Sequence, residues 1–161
     1  MKKIYIITLA ILVSMGLGVS TNKVLSQTYT QTVSTAQQTV YQQVNPLDIV
    51  ANPSKYLKKD IRITAKFDKF STLGLDYPPA MRSQEKYISF LIQRPDVLDH
   101  NVPLSELKIF LTKELAEKNV SLDAGDQIEF TGTVFSNALG DAWIDVNSLK
   151  VINKVKKADK K

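Results

Sequence analysis

DQIEFTGTVFSNALGDAWIDVNSLKVI, residues 126–152, decides how the rest of the chain is read. Ile128, Phe130 and Val134 alternate with Gln127, Glu129, Thr131 and Thr133. A period of two marks a half-buried strand. Gly132 interrupts the inward row and predicts a bulge or sharp bend. Residues 136–141 carry turn formers at both ends. A second strand starts near Ala142, with Ile144 and Val146 on one face and Trp143, Asp145 and Asn147 on the other. Asp123-Ala124-Gly125-Asp126 is the turn that launches the hairpin. Trp143 has two readings: it covers one end of the core or packs under a loop, or it is a stacking platform on a ligand face.

Upstream, three more strands are expected. In residues 60–71, DIRITAKFDKFS, Ile61, Ile63, Ala65 and Phe67 alternate with Arg62, Thr64, Lys66 and Asp68. Such alternation belongs to an antiparallel sheet or small barrel with one wet face. Phe70 breaks the phase and predicts a bend at Asp68–Lys69. Residues 87–93, YISFLIQ, form the second strand and residues 107–111, LKIFL, the third. Between the first two lies TLGLDYPPAMRSQE, residues 72–85. A loop this long is functional, disordered, or a lid packed by its own apolar residues.

Two short helices complete the order. Asn45 is an N-cap with Pro46 at the first helical position, and Pro53 ends that helix. Thr112 caps a second helix over residues 112–119, between the third and fourth strands.

The two ends are of different character. Met1-Lys2-Lys3, the apolar run of residues 4–19 and the small residues after it read as a signal peptide over residues 1–26, cleaved after Ser20 or Ser26. The run is shorter than the roughly 20 residues of a spanning helix, so no transmembrane segment is expected after cleavage. Export to the periplasm or the exterior follows. Residues 27–45 read as a flexible linker, because Gln and Thr dominate and charge is absent. Residues 153–161, NKVKKADKK, read as a solvated basic tail. The net charge of +5 is a property of these ends: residues 27–149 hold 12 Lys and Arg against 15 Asp and Glu.

The folded domain, residues 46–152, thus runs short helix, strand, strand, strand, helix, strand, strand. The entry NPSKYLKK at residues 52–59 and GDQIEFTGTV at residues 125–134 carry a resemblance. In these stretches the chain resembles exported bacterial OB-fold proteins of the tRNA-anticodon-binding-like group. The resemblance implies an all-β class with minor helices: a five-stranded Greek-key barrel, with a helix between strands three and four and a short N-terminal helix. It also implies a ligand face on strands two and three and on the loops one–two and four–five. That face would hold Tyr77, Met81, Arg82, Tyr87, Phe110 and Asn137, with Trp143 beside them.

Catalytic patterns are missing. There is no cysteine and one histidine, His100, and the sequence has no nucleophile elbow, zinc-protease motif or phosphate loop. Asp141 and Asp145 would sit about 13 Å apart along a strand, too far for a glycosidase pair. Turn aspartates mostly cap backbone, so no metal and no cofactor is assigned. The expectation is a non-catalytic exported binding or scaffold module of the bacterial cell envelope. Its partner would be an unidentified envelope protein or polymer. The alternative, a single-stranded nucleic-acid binder, is disfavoured by the acidic body.

Overall fold

The computed structural model describes residues 39–80, 82–98 and 102–156. The leader, residues 27–38 of the linker, Met81, His100 and residues 157–161 lie outside the described residues. The elements run β1 (Gln42–Gln43), α1 (Pro46–Ala51), α2 (Pro53–Tyr56), β2 (Asp60–Ser71), β3 (Tyr87–Ile92), β4 (Leu107–Thr112), α3 (Lys113–Glu117), β5 (Gln127–Ser136) and β6 (Ala142–Asn153).

The long strand β2 bridges the two sides of the barrel. Its N-terminal half pairs antiparallel with β5, and its C-terminal half pairs antiparallel with β3. From β3 the ladder continues antiparallel to β4, parallel to β6, and antiparallel back to β5. The five strands therefore close with α3 between the third and fourth of them. This is the OB-fold, and no barrel edge is left between β5 and β2.

Local sequence explains the curvature. The register of β2 slips between Phe67 and Lys69, where the alternation changes phase. The register of β5 slips at Thr131/Gly132. A side chain at Gly132 would put Cβ 2.3 Å from the Asp145 carbonyl oxygen, so only glycine permits this approach of β5 to β6. Asn45 Oδ1 accepts from Leu47 N–H at the start of α1, and Thr112 Oγ1 accepts from Leu115 N–H at the start of α3. Inside the barrel, Ile63, Phe90, Ile109, Phe130 and Ile144 are buried. Phe90 meets Phe130 edge-on, with centroids 5.3 Å apart. Burial of each such side chain contributes roughly 1.5–3 kcal/mol.

Both boundaries of the ordered barrel differ from the sequence expectation. At the N-terminal side, Gln42–Val44 is not linker: β1 lies parallel to β2 at Ile61 and Arg62, and Val44 is buried. One apolar residue after a polar run was enough to dock it. At the C-terminal side, Asn153 still pairs with Gln127 in the ladder. Lys154 Nζ and Val155 N–H then bind the Asp126 carboxylate. Asp126 is fully buried, and a buried carboxylate needs donors. Those donors come from the first residues of the expected basic tail.

Candidate functional sites

The face expected to hold ligand lies on the outside of β4, β5 and β6, and the structure fills it with the chain's own loop. Residues 72–80 step through successive turns, with Leu75 N–H donating to Thr72, Tyr77 to Gly74 and Ala80 to Tyr77. Gly74 adopts φ +82° directly over the indole, where an added Cβ would come 3.0 Å from Trp143 Cζ3. Leu75 and Ala80 are buried against Phe110 and Trp143. The Trp143 ring stacks on Phe110 at 5.9 Å and 16°, and Tyr77 lies 5.5 Å away on it. The indole Nε1–H donates to the Ala138 carbonyl at 2.8 Å. Trp143 is 1% exposed and Phe110 is 0% exposed.

Arg82 closes the cover. Its guanidinium grips Asp145 of β6 with two arms, Nε to Oδ1 at 2.9 Å and Nη2 to Oδ2 at 2.5 Å. The guanidinium carbon lies 3.8 Å from the centroid of the Phe135 ring. The bonds from Asp145 raise the Arg82 pKa above its ordinary value, against the opposing effect of burial. Tyr87 is half-buried beneath the same guanidinium, at 6.0 Å.

The structure thus brings together Tyr77, Arg82, Tyr87, Phe110 and Trp143, in a cluster whose members cover one another. Asn137 stands apart at the rim, where its Nδ2 donates to Ser54 Oγ of α2. Met81 is outside the described residues. Of the two readings of Trp143, the geometry is that of a residue packed under a neighbouring loop. Phe110 of β4 points outward from the barrel and is buried all the same by this cover.

The carboxylates Asp141 and Asp145 are each held by a cation. Asp141 lies 2.8 Å from Lys108 Nζ and Asp145 pairs with Arg82. Asp126 caps Asp123 N–H, as a turn aspartate does. Burial drives the Asp126 pKa up. The Lys154 ammonium and the N–H groups of Asp123 and Val155 more than reverse that and hold it at about 2. Among the described residues no cluster of three His, Cys, Asp or Glu is placed to hold a metal. No helix among them is long and apolar enough to cross a membrane.

An open concavity lies elsewhere. A groove of about 720 Å³ runs between β1, the middle of β2, the segment after β3 and the end of β6. That volume is within the usual range for ligand sites. Gln43, Asn45, Thr64, Gln93, Gln127 and Asn153 give it amide and hydroxyl groups. Among the described residues, Lys66, Arg94 and Lys154 line it and no carboxylate does. Leu98 and Val155 stand exposed at its wall. Sequence reasoning missed this site, because its residues come from five separate segments. The one available signal was Pro46, which ends any strand running through Gln42–Val44.

No protein-family model and no curated protein matches the sequence. Solved structures similar in fold include a Leishmania major Friedlin chain assigned as an aspartyl-tRNA synthetase, at 11% identity and TM-score 0.47, covering 78% of this chain and 23% of that one. Asparaginyl-tRNA synthetase from Pyrococcus horikoshii, complexed with asparaginyl-adenylate, matches at 18% identity and TM-score 0.43, covering 65% of this chain and 21% of that one. The OBody AM3L09 bound to hen egg-white lysozyme matches at 10% identity and TM-score 0.43, covering 66% of this chain and 93% of that one. The chain spans under a quarter of the two synthetases. The likeness at these identities is one of fold.

Proposed function

We propose that this chain is a non-catalytic binding module exported to the bacterial cell envelope, and that it holds its partner in the groove beside β1. One observation carries the reading. The outer aromatic face is closed by residues 72–80 and Arg82, whereas the groove is open, concave and lined by polar, cationic and exposed apolar groups. The leader-like residues 1–26 support export. The pairing of Asp141 and Asp145 with cations supports a non-catalytic role.

Site-directed photocrosslinking in cells tests both halves. A crosslinker at Leu98, 93% exposed at the groove wall, should give an adduct with an envelope component. The same group at Val120, 76% exposed and outside the groove lining, should not. Intact mass of the product should show loss of the residues before position 21 or 27. Adducts at Leu139, beside the covered aromatic cluster, with none at Leu98 would return the site to the outer face and refute the groove. Oligonucleotide binding that survives removal of residues 156–161 would favour the nucleic-acid reading instead.

A further inference from the structure

We propose that the groove binds an extended acidic peptide, whose backbone pairs with the β2 edge at its one open position, Thr64. This rests on the groove being the binding site. In β2 the backbone groups of Ile61, Ile63 and Ala65 face β5, and those of Arg62, Thr64 and Lys66 face the other way. Two of those outward positions are occupied. Arg62 C=O accepts from Val44 N–H at 2.9 Å, and Lys66 C=O accepts from Gln93 N–H at 2.8 Å. Thr64 lies between them, and among the described residues no hydrogen bond ends on its N–H or C=O on that side.

The gap has a cause in the sequence. Continuing the parallel ladder from Val44 would bring the nitrogen of residue 46 to the Thr64 carbonyl. Residue 46 is proline, which has no N–H to give. Asn45 instead caps α1 and turns the chain away. On the far side, Gln93 donates its N–H to Lys66, then its chain leaves through the pairing of Arg94 N–H with Val102. The edge of β2 is thereby left open for about one residue on the floor of the groove.

Three further features select what can lie there. Gln93 lines the groove, and its Nε2 is buried with no hydrogen-bond partner among the described residues. Among the described residues, the charged residues of the lining are all cations. Arg94 already has carboxylate partners in Asp96 and Glu106, and Lys154 has one in Asp126, but among the described residues no ion pair holds Lys66. Leu98 and Val155 provide apolar wall for alternate side chains. An extended peptide supplies what these features lack: a backbone C=O and N–H for Thr64, a carbonyl for Gln93, a carboxylate for Lys66 and an apolar side chain for the wall. A single-stranded nucleic acid would satisfy Lys66 but has no backbone N–H for the Thr64 carbonyl.

The probe is a displayed library of random dodecapeptides, selected on the full chain and counter-selected on the Leu98→Asp variant. Enriched peptides should carry net negative charge, shift the Thr64 amide resonance and protect it from exchange. Their affinity should fall about tenfold in Lys66→Glu, which reverses the charge facing the carboxylate. It should be unchanged in Lys113→Glu, an exposed reversal on α3. Thr64→Pro removes the edge donor without breaking a ladder bond and should abolish binding. Gln93→Leu tests the neighbouring donor should Thr64→Pro fail to fold. Enrichment of neutral or basic peptides, or binding that leaves Thr64 unshifted, would overturn the proposal. If the Leu98 crosslink forms in cells while no peptide is enriched, or while a twelve-residue oligothymidine competes for the adduct, the groove stands and the peptide inference falls.

Discussion

Breaking the pair between Arg82 and Asp145 measures how firmly the cover over Trp143 is held. The two bonds are charge-assisted and bidentate, a geometry that contributes about 1.5–3 kcal/mol when buried. The side chains are 27% and 28% exposed, so solvent screening brings the pair down to about 1 kcal/mol. The stacking of the guanidinium on Phe135 adds about 0.5–1 kcal/mol that Asp145 does not share. Arg82→Ala should therefore cost about 1.5–2 kcal/mol and Asp145→Ala about 1 kcal/mol. The double variant should show a coupling of about 1 kcal/mol.

The protein carries its own reporter for this experiment. Trp143 is the only tryptophan, and it is 1% exposed under residues 72–80. Urea unfolding followed by its emission yields the free energies, and its emission maximum in native buffer reports whether the cover has lifted. With Leu75, Ala80 and Tyr77 still packed on it, the indole should keep a blue-shifted emission in Arg82→Ala. Arg82→Lys should recover little, since an ammonium cannot form the two-armed grip. A red-shifted native emission in Arg82→Ala with an unchanged urea midpoint would refute the reasoning. The loop would then be a gate, held by the ion pair alone, over a face that opens to solvent.

Four other outcomes follow from the packing. Phe130→Ala, at a site 1% exposed and edge-on to Phe90, should lose about 3–5 kcal/mol in urea unfolding. Gly132→Ala should cost about 1–3 kcal/mol or more, since the new Cβ meets a carbonyl oxygen of β6 and not a movable side chain. The Asp126 pKa, held at about 2 against a usual 3.8, makes the carboxylate's contribution complete above pH 4 and lost as the pH falls through 2. Amide exchange at Val155 should speed up over that interval in the wild type but not in Asp126→Asn. Trp143→Ala should cost about 3–5 kcal/mol, like other large buried truncations.

The barrel was legible because its strands obey two periods of local chemistry. Ile61, Ile63 and Phe67 in β2 and Ile128, Phe130 and Val134 in β5 announce an inward row, and all six are buried. Phe70 and Gly132 mark the places where the register slips. The ends were less legible. Gln42–Val44 has a single apolar residue, and docking came from the vacant edge of β2, which no local pattern in residues 27–45 reveals. Lys154 and Val155 look like tail until Asp126 is known to be buried beside them. The site split in the same way. The sequence named the aromatic and cationic residues that meet on the outer face, but it could not say that they would meet to cover each other. The groove was invisible, because an open backbone edge is made by what Pro46 and Gln93 fail to reach and not by any side-chain pattern.

The burial of Trp143 also changes what a binding experiment at that residue can mean. An alanine there removes the surface on which Gly74, Tyr77 and Phe110 rest, so its effect on any ligand passes first through the fold. A loss of binding in Trp143→Ala is thus expected whether the ligand sits on the aromatic face or in the groove. Trp143→Phe separates the cases. It keeps an aromatic plane against Phe110 but gives up the bond to Ala138 and part of the indole volume, at a cost of about 1–3 kcal/mol. A ligand held in the groove should bind this variant with wild-type affinity once the protein is shown to be folded. A ligand stacked on the indole should lose affinity in proportion to the lost ring area, and its loss would not be relieved by adding osmolyte to restore stability.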